Sequence, residues 1–230
     1  MPTILEWNIR HGGGQRVPRI LACLDRHQPD IIVLTEFRHN PGGEIIRAEL
    51  RAKGFAYQTA GEAGPRVNTL LVTAKLPFKA SLPDQGFPDR LLALEFDDLV
   101  IVACYFPQRE AKIPVFERLL ALADQYRDSP ALFIGDFNTG RHRLDEEGRT
   151  FVAAEYMDRL EEHGLTDIWR HFHGGNRREY SWFSAKGNGF RIDHVFATGQ
   201  LMGRVREVLY LQEEREEGVS DHAGLVVRVE

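Results

Sequence analysis

The segment GDFN, Gly135 to Asn138, sets a carboxylate and a carboxamide two positions apart at the end of the apolar run LFI. Asp, Asn and Gly are ordinary turn residues, so this piece alone says little. Five further clusters repeat the pattern: Glu6-Trp7-Asn8, Thr35-Glu36, Tyr105 before Phe106-Pro107, Arg191-Ile192-Asp193-His194 and Ser220-Asp221-His222. Asn8, Glu36, Asp136, Asn138 and Asp221 offer only oxygen donors, a set that suits Mg²⁺, Mn²⁺ or Ca²⁺ better than zinc. Such an ion neutralises phosphate charge and polarises water. A histidine with a carboxylate partner can hold a phosphate oxygen or move a proton. Together these residues point to metal-assisted phosphoester hydrolysis.

These side chains need strand ends on a common edge to meet. Strands are expected at Thr3–Asn8, Ile31–Thr35, Val67–Thr73, Leu91–Phe96, Leu99–Tyr105 and Ala131–Gly135, and later near Tyr180–Phe183, Phe190–Ala197, Arg204–Leu211 and Leu225–Val229. The runs are short and rich in β-branched residues, and Asp97-Asp98 reads as a hairpin turn. Helical spacing of apolar residues predicts helices at Val17–His27, Gly43–Lys53, Ile113–Tyr126 and Glu147–His163. Pro29, Gly54 and Gly164 stop three of them, and Pro114 suits the first turn of another. Hairpin-linked strands mixed with crossover helices imply an α/β fold of mixed sheets covered by helices.

The chain has 230 residues, 43% hydrophobic and 27% charged, with a formal net charge of −5. This length supports one large domain, expected to span residues 1–230. The acidic balance gives no whole-chain footprint for nucleic acid, yet a local basic groove or a bound metal can supply positive charge. Cys23 and Cys104 lie in apolar runs and read as reduced core thiols. No stretch approaches the ~18 apolar residues of a membrane span, and MPTILEWNIR lacks the marks of a signal peptide. A cytoplasmic monomer is the expectation.

The clusters WNIR, LTEF, YFPQRE, GDFN, GFRIDH and SDH follow one another from the first strand to the last. In that order the chain resembles the endonuclease/exonuclease/phosphatase superfamily over its whole length, and within it the exonuclease III and abasic-site endonuclease branch. The resemblance implies a four-layer α/β sandwich, two packed mixed sheets flanked by helices, as in DNase I-like proteins. It implies Glu36 as the main metal ligand, with Asn8 and Asp221 on the metal side, and Mg²⁺ or Mn²⁺ as the cofactor. Asp136 would orient and deprotonate the attacking water, and Asn138 would hold that water or the phosphate. His222, oriented by Asp193, would contact the scissile phosphate, and Tyr105 would donate to a phosphate oxygen or the leaving group. Either Asp136 or His222 could be the base; Asp136 is preferred, because a histidine paired with Asp193 leans towards imidazolium. Trp182, Phe190 and Ile192 correspond to the family's nucleoside pocket, although Trp182 reads equally well as core.

The resemblance departs at two places. The segment after YFPQ is short, only Arg109 to Pro114, where DNA-repair members carry a longer basic loop, and GEAGPRVNTLL replaces a Gly-rich, Lys-bearing stretch. Arg141 and Arg143, beside GDFN, are candidates to track a phosphate backbone, the alternative being a solvated loop. The expected activity is a metal-dependent nuclease acting on DNA. The alternatives are a phosphodiesterase or phosphatase on a small molecule, and a binding module that has lost turnover. His11, His171 and His173 read as surface or loop residues, His194 as structural, and Trp7 and Trp169 as core. Glu213 to Glu217 reads as a solvated turn.

Overall fold

A computed structural model describes residues 2–81 and 86–230. Its elements in chain order are β1 (Thr3–Asn8), α1 (Val17–His27), β2 (Ile31–Phe37), α2 (Pro41–Ala52), β3 (Tyr57–Ala60), β4 (Thr69–Ala74), β5 (Lys79–Ser81), β6 (Leu91–Glu95), β7 (Val100–Tyr105), α3 (Ile113–Gln125), β8 (Ala131–Asp136), α4 (Tyr156–Glu162), β9 (Leu165–Asp167), α5 (Ile168–His173), β10 (Trp182–Phe183), β11 (Gly189–Phe190), β12 (Asp193–Thr198), α6 (Gly199–Met202), β13 (Val205–Leu211), α7 (Gln212–Glu216) and β14 (Gly224–Val229). A 3₁₀ turn, Arg109–Lys112, precedes α3.

Two six-stranded sheets form, in the orders β13-β14-β1-β2-β4-β3 and β5-β6-β7-β8-β12-β9. Both are mixed: β1 runs parallel to β2 and antiparallel to β14, while β7 runs parallel to β8 and β12 antiparallel to it. Alternate residues of each sheet face the other. Ile4, Val33, Val72 and Val227 pack against Ile101, Leu132, Ile134 and Val195 in one buried cluster. The other face of the first sheet packs Leu5, Ile32 and Leu34 against Ile20, Leu24 and Ile46 of α1 and α2. The other face of the second packs Val102 and Phe133 against Phe116, Leu119 and Leu160 of α3 and α4. With both faces covered, the central strands are largely apolar, the polar exceptions gathering towards one end. The layers are helix, sheet, sheet, helix, as the motif order implied. Cys23 and Cys104 are buried thiols, and Trp7 and Trp169 are core. No helix among the described residues is long and apolar enough to cross a membrane.

Helix α2 begins earlier than expected, because Asn40 caps it by accepting from the Gly43 N–H at 2.9 Å and Pro41 opens it. The helix expected over Glu147–His163 is confined to Tyr156–Glu162. The buried Glu146 carboxylate accepts from the backbone of Thr150 at 2.7 Å and Phe151 at 3.2 Å. It thereby takes donors that a helix would have used, and Ala153 turns left-handed at φ 62°. The strand expected over Phe190–Ala197 is broken at Arg191–Ile192, leaving the small β10-β11 ribbon beside the second sheet.

Candidate active site

Asn8 ends β1 and pairs in register with Thr35 of β2, one residue before Glu36. Tyr105 ends β7 and lies in register with Asp136, which Asp193 of β12 faces from the other side. The two sheets therefore bring their polar ends to one rim. The Asn8 Nδ2 group donates to Asp136 Oδ2 at 3.0 Å, from one sheet to the other. Asp136 Oδ1 accepts from the Asn138 N–H at 2.8 Å, and Asn138 Nδ2 donates to Asp136 Oδ2 at 3.2 Å and to the Phe106 carbonyl at 2.9 Å. Gly135 makes this corner possible: a Cβ on it would lie 1.8 Å from the Cys104 carbonyl oxygen.

His222 is buried and its Nδ1 meets Asp193 Oδ2 at 2.8 Å. Its own carbonyl accepts from Trp7 Nε1 at 3.0 Å, which holds the Ser220-Asp221-His222 segment against β1. The Ser181 hydroxyl accepts from the Asp193 N–H at 3.2 Å, and the Tyr210 hydroxyl donates to the Asp193 carbonyl at 2.5 Å. Burial alone would lower the His222 pKa, but the Asp193 and Asp136 charges push it up to about 10, so the ring is an imidazolium at neutral pH. Asp136 behaves oppositely. Burial and the neighbouring Asp193 charge push its carboxyl up to about 7. Tyr105, buried and facing Glu36 and Asp136, is pushed up to about 12 and keeps its proton.

Glu6, part of the Glu6-Trp7-Asn8 cluster but given no role from the sequence, joins this group. It is fully buried, and burial followed by the Asp193 and Asp136 charges raises its pKa well above the ordinary value. Its period-two relation to Asn8 puts both on the inter-sheet face, and that alternation was the signal available in TILEWN. The residues present fit a hard cation. Glu6 Oε2 and Asp221 Oδ1 are buried carboxylate oxygens without a hydrogen-bond partner, and a divalent charge would supply one. Asp136, Asp193 and His222 also place ligand atoms within 4.8 Å of one another. There the Asp193 carboxylate is already committed to His222.

The three residues expected to line a nucleoside pocket come together. Trp182 and Phe190 face each other across the ribbon with centroids 5.6 Å apart, and Trp182 lies 6.4 Å from the His222 ring. With Ile192 they line a cavity of about 220 Å³ that Asn138, Phe151 and Lys112 complete. Trp182 is therefore pocket wall, not core. Phe151 and Lys112 carried no sequence signal. Lys112 is buried, donates to the Asn138 carbonyl, and is pushed down to about 8 by burial, against the opposing pull of Asp136.

Arg141 is not brought to the cluster. Its guanidinium pairs with Asp158 at 3.1 Å, Glu161 at 2.8 Å and Asp167 at 3.6 Å, so it is spent on structure. Arg143 stays exposed, at φ 62°. His142 pairs with Glu146 at 2.8 Å, and the buried His194 bonds the Thr139 carbonyl at 2.8 Å. His173 sits on α5 against the Val208 carbonyl. Within the expected solvated turn, Glu214 is buried against His27 at 2.5 Å.

A family model described as the Endonuclease/Exonuclease/phosphatase family matches residues 5–222, from the first strand to His222. The chain belongs to that family. It is 28% identical to exodeoxyribonuclease III of Haemophilus influenzae over 264 residues, covering 95% of this chain and 96% of that one. An AP endonuclease from Archaeoglobus fulgidus superposes on it with a TM-score of 0.87 at 21% identity, covering all of both chains. A 3' phosphatase from Neisseria, solved with a product DNA hairpin, does so with a TM-score of 0.86 at 20% identity, again over all of both chains. The sandwich and the exonuclease III-like branch read from the motifs agree with these relatives.

Proposed function

We propose that this member of the family is a divalent-metal-dependent phosphodiesterase that acts on DNA as a nuclease. One observation carries the reading: in the hydrogen-bonded set Asn8–Asp136–Asn138, Asn138 lines a cavity of about 220 Å³ walled by Trp182 and Phe190, and Trp182 in turn lies 6.4 Å from the ring of His222, the partner of Asp193. Aromatic walls offer a stacking surface for a base or sugar. The names of the relatives, exodeoxyribonuclease III among them, point the same way.

In this reading Glu36, Asn8 and Asp221 hold Mg²⁺ or Mn²⁺, which when bound neutralises phosphate charge and activates water. Asp136, anchored by Asn8 and Asn138, orients the attacking water and takes its proton; a carboxyl raised to about 7 has a basicity matched to neutral pH. His222, kept cationic by Asp193, donates to a non-bridging phosphate oxygen and stabilises the charge that grows there. Tyr105 keeps its hydroxyl proton for a phosphate oxygen or the leaving group. Trp182, Phe190 and Ile192 seat the nucleoside, and Arg143, the exposed one of the two candidate arginines, meets the backbone. We expect a cytoplasmic monomer.

The short segment after β7, one 3₁₀ turn, favours a second reading: turnover of single strands, ends or small phosphodiesters rather than internal duplex sites. One panel separates the two. The protein is incubated with Mg²⁺, Mn²⁺ or EDTA and end-labelled single-stranded, duplex and abasic DNA, RNA and a chromogenic diester, with Asp136→Asn as control. Metal-dependent DNA cleavage, lost in the variant, is the expected result. Cleavage of the small diester alone would overturn the nuclease reading.

A further inference from the structure

His11 belongs to none of the roles above, yet it stands against the candidate metal carboxylate. Its Nδ1 lies 2.9 Å from Glu36 Oε2, and its backbone N–H donates to the same oxygen at 2.7 Å. The loop that presents it is unusual. Arg10, His11, Gly12, Gly13 and Gly14 all have positive φ, between 51° and 75°, and Glu36 itself sits at 55°. For Arg10, His11 and Glu36 this is a costly conformation that persists only where the surroundings enforce it, commonly at functional sites. Here the enforcement is visible. Gly12 N–H donates to the Glu36 carbonyl at 2.7 Å, and Arg16 ties the Ile9 and Arg10 carbonyls to that of Val219, just before Ser220-Asp221-His222.

The imidazole nitrogen meets two neighbours. Asn68 Nδ2 approaches Nδ1 at 3.1 Å, and the amide orientation is fixed because Asn68 Oδ1 accepts from Arg38 Nε at 2.6 Å. A donor needs the Nδ1 lone pair, so Nδ1 is the acceptor there, and its approach to Glu36 Oε2 is a close contact rather than a hydrogen bond. A cation beside Glu36 would take that lone pair, and Asn68 Nδ2 also reaches the Tyr105 hydroxyl at 3.3 Å. The spacing suits this. Two ligands at ~2.1 Å from one ion and at right angles to each other lie about 3 Å apart.

We propose that His11 is a ligand of the metal centre, giving Nδ1 beside Glu36 Oε2, so that the centre is a mixed nitrogen and oxygen site favouring transition-metal ions over Mg²⁺. This rests on the metal-dependent reading of the site. Imidazole raises affinity for ions such as Co²⁺ far more than for Mg²⁺, which prefers oxygen.

The test reads binding, not turnover. Pulsed EPR of the Mn²⁺-loaded protein reports nitrogen coupling, and calorimetry gives Co²⁺ and Mg²⁺ affinities for wild type, His11→Ala and Glu36→Ala. His11 is exposed, so its removal leaves the fold intact. Nitrogen coupling present in wild type and absent in His11→Ala is expected. So is a loss of Co²⁺ affinity of about tenfold or more in His11→Ala, with Mg²⁺ affinity changed less than about threefold. Coupling that is absent in wild type, or that survives in His11→Ala and so comes from His222, overturns the proposal; equal loss for both ions does too. Glu36→Ala separates the failures. If it abolishes Mn²⁺ binding while His11→Ala changes nothing, only the role of His11 falls. If it binds Mn²⁺ like wild type, the metal reading at Glu36 falls as well.

Discussion

Two buried carboxylate clusters lie within a few residues of each other, and their chemistry is opposite. Glu6, Asp136 and Asp193 crowd around the buried His222 cation. Asp145 and Asp167 meet Arg191 at 2.6 and 2.5 Å, with Arg170 and Arg141 beside them. Burial raises carboxyl pKa values in both places. In the second cluster the Arg191, His194 and Arg170 charges more than offset it and hold Asp145 well below its ordinary range. In the first cluster the offset fails, and Glu6 and Asp136 rise. Burial alone therefore does not separate an active site from a structural ion network. The balance of charge does: acids left short of positive charge wait for a substrate or a metal, whereas acids matched to guanidinium groups hold the molecule together.

The largest test of this contrast is Asp136→Asn, which should lower kcat/KM about 10³- to 10⁴-fold. It should also stabilise the fold. A carboxyl whose folded pKa is raised keeps its contribution below its unfolded value, about pH 4, and loses it as the pH rises through about 7. In EDTA the variant should therefore match wild type near pH 3.5 and exceed it at pH 8, by at least the 2–4 °C in Tm that roughly 1 kcal/mol produces at this size. An unchanged Tm at pH 8 would mean that Asp136 is not held at a cost.

Arg191→Met should act in the opposite sense. It strands Asp145 and Asp167 without their main cation, at about 3–5 kcal/mol of stability, measurable by urea unfolding. Wild-type stability would erase the distinction between the clusters. Asp193→Asn should remove the charge that keeps His222 cationic, so that burial lowers its pKa from about 10 towards neutrality. The alkaline limb of the pH–rate profile should move down with it, costing about 10²-fold in turnover at pH 8 and less at pH 6. A limb that stays put would assign it to another group. The smallest effect concerns Arg143, proposed to meet phosphate, and Arg141, held in ion pairs. Arg143→Ala should reduce the slope of log affinity against log salt by about 0.9, the value of one phosphate contact, and Arg141→Ala should leave it unchanged.

The strand ends were readable because each is local: an apolar β-branched run followed by polar residues. Asp136, Asp193 and His222 met as their motifs implied, since strand order brings those edges together. What escaped the sequence depends on distant partners. Arg141 looked like a free cation because Asp158, Glu161 and Asp167 are remote in sequence. Residues 147–155 had helical spacing, but the Glu146 side chain recruits their N–H groups. Lys112 and Phe151 line the pocket only because the 3₁₀ turn and the loop after Gly140 converge there.

The bond from Asn8 to Asp136 spans the seam between the two sheets. The groups proposed to orient water and to hold the metal thus ride on separate sheets, and the packed side chains between the sheets act as the spacer that sets their alignment. A methyl group lost from Val33 or Ile134, deep in that layer, changes the thickness of the spacer. The catalytic angle is inherited from the core, and a mutation that never touches DNA can leave a stable, folded and poorly aimed enzyme.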